Sequence, residues 1–65
     1  MIGYIARDKD SLLYLHYTLP VRDEDNEWWW SDDDALFLRD KCFPEFDNIT
    51  YADEPIKVEV NIKRI

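Results

Sequence analysis

The stretch LLYLHYTL, residues 12–19, decides the fold. Side chains along an extended chain alternate between two faces. Leu13, Leu15, Tyr17 and Leu19 fall on one face, and Leu12, Tyr14, His16 and Thr18 on the other. Upstream, IGYIAR at 2–7 alternates loosely. DKDS at 8–11 supplies the Asp and Ser side chains that hold tight turns through bonds to the backbone. Together these segments predict a β-hairpin, ended by Pro20, which has no N–H for a ladder.

Moving outward, residues 20–27 form a charged loop, and Trp28, Trp29 and Trp30 follow with high β-propensity. They predict a short strand with Trp28 and Trp30 facing one way and Trp29 the other. SDDD at 31–34 is a second polar break. ALFLR at 35–39 fits a strand, but Asp34 is also placed to cap a short helix from Ala35 to Cys42. Asp40 is placed to cap a single turn before Pro44 stops it. ITY at 49–51 is read as extended and DEP at 53–55 as a turn. IKVEVNIKRI, residues 56–65, has the cleanest alternation: Ile56, Val58, Val60 and Ile62 inward, Lys57, Glu59, Asn61 and Lys63 outward. The expected class is mainly β: a small antiparallel sheet or partly open barrel of four to six strands with one short helical turn.

At 65 residues the chain (1–65) is expected to be a single small acidic β-rich domain. Cys42 is the only cysteine, so no disulfide assists folding, and packing of the 46% hydrophobic residues must supply the stability. Dimerisation would add burial, which keeps a homodimer open. One unpaired cysteine suits a reducing cytosol, and the expected location is the cytoplasm of a host cell. The N-terminus has no secretory pattern, and no segment approaches a membrane span. Asn48-Ile49-Thr50 is therefore read as a chance sequon.

The formal net charge is −7, and one segment carries all of it. DEDNEWWWSDDD, residues 23–34, contains Asp23, Glu24, Asp25, Glu27, Asp32, Asp33 and Asp34 and no base. The remaining eight acids balance the eight bases. Direct contact with nucleic acid or an anionic membrane is not expected, because phosphate contacts need a basic face. Basic partners would be attracted instead.

Catalytic and metal-binding patterns are weak. A calcium loop needs glycine at its sixth position. Counting from Asp23 that position is Trp28, and counting from Asp8 it is Leu13. Ser11 or Ser31 with His16 lacks a nucleophile-elbow motif, and Gly3 alone makes no phosphate loop. His16 is read as an ordinary strand residue and Cys42 as a small core residue. The expectation is a protein that is not an enzyme, with no catalytic residue, metal site or cofactor.

The tryptophans are the unusual feature, since exposed Trp is enriched at interface hot spots. Extended, residues 23–34 span about 40 Å at ~3.3 Å per residue, which spreads seven charges at about one per 6 Å. A single nucleic-acid strand carries one per ~3.4 Å. Folding the segment back is expected to bring its two acid clusters closer to that density. A groove that holds nucleic acid would attract such a surface, with the indoles imitating stacked bases. The candidate partner-binding set is Asp23, Glu24, Asp25, Glu27, Trp28, Trp29, Trp30, Asp32, Asp33 and Asp34.

The string Ile5-Ala6-Arg7-Asp8-Lys9-Asp10, then Leu12 to Leu15 and Pro20, followed later by Leu38, Phe43-Pro44-Glu45, Asp53 to Pro55 and Val58-Glu59, resembles short proteins of phages and mobile elements of gut-type bacteria. In those, an ARDKDG turn starts a hairpin, a tryptophan loop follows, and LFPE precedes a last strand rich in Val and Glu. This chain departs from the pattern at Ser11, where glycine is usual, and in its triple tryptophan. The resemblance implies no catalytic residues. It implies a setting in which small acidic proteins inhibit host defence, as anti-CRISPR proteins do. The expected function is thus a non-enzymatic inhibitor that binds a basic nuclease or other nucleic-acid-handling host protein as an acidic nucleic-acid mimic. The alternative is a structural or assembly module of a phage or mobile element that self-associates through strand edges.

Overall fold

The computed structural model describes residues 1–60. The strands are β1 (Ile2–Arg7), β2 (Leu13–His16), β3 (Val21–Asp23), β4 (Trp28–Trp30), β5 (Leu36–Leu38) and β6 (Ile56–Glu59). Four of them make one antiparallel sheet in the order β5-β2-β1-β6. β3 and β4 pair as a separate two-stranded ribbon. The fold is mainly β as expected, and the sheets do not close into a barrel.

The predicted hairpin is β1–β2, with Ile5 opposite Leu15 and Arg7 opposite Leu13. Its turn is held by Asp8 N–H to Leu12 O (2.9 Å), Ser11 N–H to Asp8 O (3.0 Å) and Leu12 N–H to the Asp10 carboxylate (3.0 Å). Ser11 sits at φ 79°, the left-handed region where a Cβ is unfavourable. Ser11→Gly is therefore expected to raise stability by about 0.5–1 kcal/mol, read as a higher urea midpoint at unchanged slope. An unchanged or lower midpoint would show that the serine carries a compensating contact.

Residues directly opposite in a ladder share a face. On one face Ile5, Leu13, Leu15 and Leu38 form the core with Ile49, and Phe43, Phe46, Val58 and Val60 pack around them. The inward reading of Val58 and Val60 holds, whereas Ile56 remains 40% exposed. Asn61, Ile62 and Lys63, also assigned to faces above, lie outside the described residues. β2 ends at His16, so Tyr17 and Leu19 are exposed rather than continuing the buried face.

Segment 35–43 resolves as strand β5 followed by a 3-10 turn, Asp40–Cys42, and a second 3-10 turn, Pro44–Phe46, comes next. Two short turns thus replace the single one expected, and Asp34 caps no helix. Asp40 opens its turn without capping it, because its carboxylate faces Arg7 instead. Cys42 is exposed, which corrects its core assignment: the turn that carries it buries no residue. Residues 49–51 form no strand. The Ile49 carbonyl accepts from the Arg7 side chain, and Thr50 turns back onto Asp53.

Arg7 ties this irregular stretch to the sheet. It is 8% exposed. Nε donates to Ile49 O (2.7 Å), Nη2 to Phe46 O (3.0 Å), and Nη1 to Ser11 O (2.7 Å) and the Asp40 carboxylate (3.1 Å). A planar five-donor group fits this task, because the carbonyls around it have no ladder of their own.

Candidate partner-binding site

The β3–β4 ribbon pairs Val21 with Trp30, Arg22 with Trp29 and Asp23 with Trp28. Its tip is built by the acids themselves. The Asp23 carboxylate accepts from the backbone N–H groups of Asp25 (3.1 Å) and Asn26 (3.2 Å) and from Asn26 Nδ2 (2.9 Å). These bonds, those from Asn26 foremost, hold the Asp23 carboxyl pKa below the usual carboxylate range. Glu27 closes the tip at φ 63° and donates its N–H to Asp23 O (2.8 Å).

Three links fasten the ribbon to the β1–β2 turn. Lys9 N–H donates to Glu27 O (3.0 Å), Lys9 Nζ meets the Glu27 carboxylate (2.7 Å), and Trp29 N–H donates to the Asp8 carboxylate (2.8 Å). Burial pushes the Asp8 carboxyl up, and the bond from Trp29 partly opposes this.

The predicted alternation of the indoles is what the ribbon displays. Trp29 is 7% exposed, while Trp28 and Trp30 are 45% and 54% exposed. Trp29 meets Tyr51 edge-on (6.4 Å) and is covered by the Arg22 guanidinium at 4.7 Å. Arg22 Nη2 donates to Ala52 O (2.9 Å) and Tyr51 Oη to Asp23 O (3.2 Å), which ties the ribbon to residues 51–52.

At the far end of β4 the chain folds onto β2. The Asp33 carboxylate accepts from the Tyr17 N–H and the Ser31 hydroxyl, and Ser31 Oγ lies 2.7 Å from His16 Nδ1. Ser31, foremost, holds the Asp33 carboxyl below its ordinary range, so the ionised carboxylate accepts the hydrogen bond of the Ser31 hydroxyl. His16 Nδ1 must then be the donor to Ser31 Oγ, and Nε2 is left bare. Burial lowers the His16 pKa, which agrees with a neutral ring. The set His16–Ser31–Asp33 has triad residues in the wrong order. The hydroxyl donates to the acid rather than to the imidazole, so His16 Nδ1 cannot draw a proton from Ser31.

The ten proposed contact residues therefore divide. Asp23, Glu27 and Asp33 hold turns and Trp29 is core. Glu24, Asp25, Asp32 and Asp34 are exposed beside Trp28 and Trp30. The expected convergence of the two acid clusters does not occur. The hairpin turns at 24–27, which places one cluster at the ribbon tip and the other beyond Trp30. Asp8, Tyr14, His16, Arg22, Ser31 and Tyr51 complete the surroundings and were not anticipated as site residues. Among the described residues, no group of three or more His, Cys, Asp or Glu side chains is placed to hold a metal, and no helix is long and apolar enough to cross a membrane.

The class the fold defines is a small, mainly β domain that carries an aromatic, acidic ribbon. No family model matches the chain, and no curated protein or solved structure is significantly similar to it.

Proposed function

We propose that the chain is a non-enzymatic binding protein that inhibits a basic, nucleic-acid-handling protein of a host cell by occupying its nucleic-acid groove. The observation that carries the reading is the exposed face of the ribbon. Trp28 and Trp30 stand on one side of β4, with Glu24 and Asp25 at one end and Asp32 and Asp34 at the other. Two bare indoles provide area that can be desolvated, and the flanking carboxylates provide the field that draws in a cationic surface. Two bases that touch the ribbon are already engaged within the chain: Lys9 with Glu27, and Arg22 with Trp29 and Ala52. The anti-CRISPR-like setting, in a phage or mobile element, rests on the sequence resemblance alone.

The test is capture from host lysate with the wild-type chain, a Trp28→Ala/Trp30→Ala variant and a Glu24→Gln/Asp25→Asn/Asp32→Asn/Asp34→Asn variant. The expected result is retention of a nucleic-acid-binding protein by wild type, released by competing nucleic acid and by raising salt from 50 to 500 mM, and lost by at least about tenfold in both variants. Equal retention by all three chains would overturn the reading.

A second reading, an assembly module, is favoured by the outer edge of β5. Leu36 and Phe37 are 51% and 50% exposed on a strand with no partner on its far side among the described residues. Such an edge is a template for pairing with another copy. Concentration-independent monomer behaviour in sedimentation would remove this reading.

A further inference from the structure

Behind the exposed indoles lies a hollow of about 280 Å³. Tyr14, Trp28 and Trp30 are its aromatic lining residues, and Trp29 also borders it. Asp8 and Asp33 also line it, and no Lys or Arg among the described residues does. His16 lines it too; this residue is 3% exposed, and its Nε2 is buried with no hydrogen-bond partner among the described residues. The bonding through Ser31 leaves that nitrogen an acceptor. A buried acceptor without a donor is costly, so the site lacks one N–H group.

We infer that the hollow receives the guanidinium of an arginine side chain presented by the partner. Aromatic faces attract a cation through their quadrupole, and Arg adds flat stacking that a compact ammonium lacks. The chain already uses this pairing, because Arg22 stacks on Trp29 at 4.7 Å and on Tyr51 at 5.5 Å. The two carboxylates supply the compensating charge, and a guanidinium N–H supplies the donor that His16 Nε2 lacks. Nε2 is covered in the free chain, so seating the group needs a small displacement. Trp28 and Trp30, each about half exposed, are the walls free to move. The inference deepens the basic-partner reading and rests on it, since it names the side chain that the surface takes.

The test is an NMR titration of the whole chain with N-acetyl-arginine amide, following the indole N–H signals and the His16 ring nitrogens. The expected result is saturable shifts of His16 Nε2 and the indoles below about 100 mM, the range open to a single side chain. N-acetyl-citrulline amide, matched in shape but uncharged, and N-acetyl-lysine amide are expected to bind at least about tenfold more weakly. Trp30→Ala, a surface change that leaves the core intact, is expected to weaken arginine amide by a similar factor. Equal binding of the citrulline or lysine probe, or no saturation at His16, overturns the inference. A deca-arginine peptide separates the two levels. If it binds through Glu24, Asp25, Asp32 and Asp34 without moving the His16 signals, the basic-partner reading stands and the hollow falls. If it does not bind at low salt, both fall.

Discussion

Arg7→Met will cost the fold about 2–4 kcal/mol, chiefly because backbone carbonyls lose a charged donor. The reasoning starts from what remains. Methionine fills much of the volume but donates nothing, so the carbonyls of Ser11, Phe46 and Ile49 lose the side chain that binds them. The buried Ile49 carbonyl is left bare at about 1–3 kcal/mol, whereas the Phe46 carbonyl keeps the Ile49 N–H and the exposed Ser11 can turn its carbonyl to water. A chain of this size has a total stability of roughly 3–10 kcal/mol, so the variant loses a large share of it. Asp40→Asn separates the two halves of the interaction. The Asp40 side chain is 55% exposed, so its ion pair with Arg7 is worth at most about 1 kcal/mol. Urea denaturation of both variants checks this: a small loss for Arg7→Met, or equal losses for the two, would show that the guanidinium is not what holds residues 40–49.

The second large effect separates the three tryptophans. Trp29→Ala is expected to cost about 3–5 kcal/mol, the range for emptying a buried aromatic site. Trp28→Ala and Trp30→Ala are each expected to cost less than about 1 kcal/mol, because their rings are about half exposed. Trp29→Ala also strips the ring from under Arg22 and from beside Tyr51. Part of that loss returns, since the Trp29 indole N–H is buried without a partner among the described residues and its removal relieves a desolvation cost. Trp29→Phe, which keeps an aromatic ring but no N–H, is accordingly expected to fall between wild type and Trp29→Ala. Thermal melts followed by near-ultraviolet circular dichroism check the order. Equal losses at all three positions would mean that the ribbon does not dock through one face.

The two-residue period explains what could be read in advance. Leu13 and Leu15 are buried on one face of β2, and the indoles alternate as a strand requires, because both patterns are local. ALFLR fits a strand and a helix equally well, and pairing with β2 decides the matter: Leu38 lies opposite Leu13 and Phe37 opposite Tyr14. No local signal marks Arg7, which looks like any charged residue at the end of a strand, yet its partners Asp40, Phe46 and Ile49 come from 33, 39 and 42 residues away. The same holds for Asp8 with Trp29 and for His16 with Ser31, which are 21 and 15 residues apart. Asp23 and Asp33 were visible as charge but not as turn-holding groups, and only the fold separates them from the exposed acids.

The central strand β1 lies between β2, its neighbour in the chain, and β6, whose Val58 pairs with Gly3 near the N-terminus. During synthesis the first hairpin can zip as soon as residue 16 is clear of the ribosome, yet one whole side of β1 stays open until residues 56–59 emerge. While the intervening residues are made that edge is bare, and a bare strand edge is where a nascent chain pairs wrongly with its neighbours until β6 covers it.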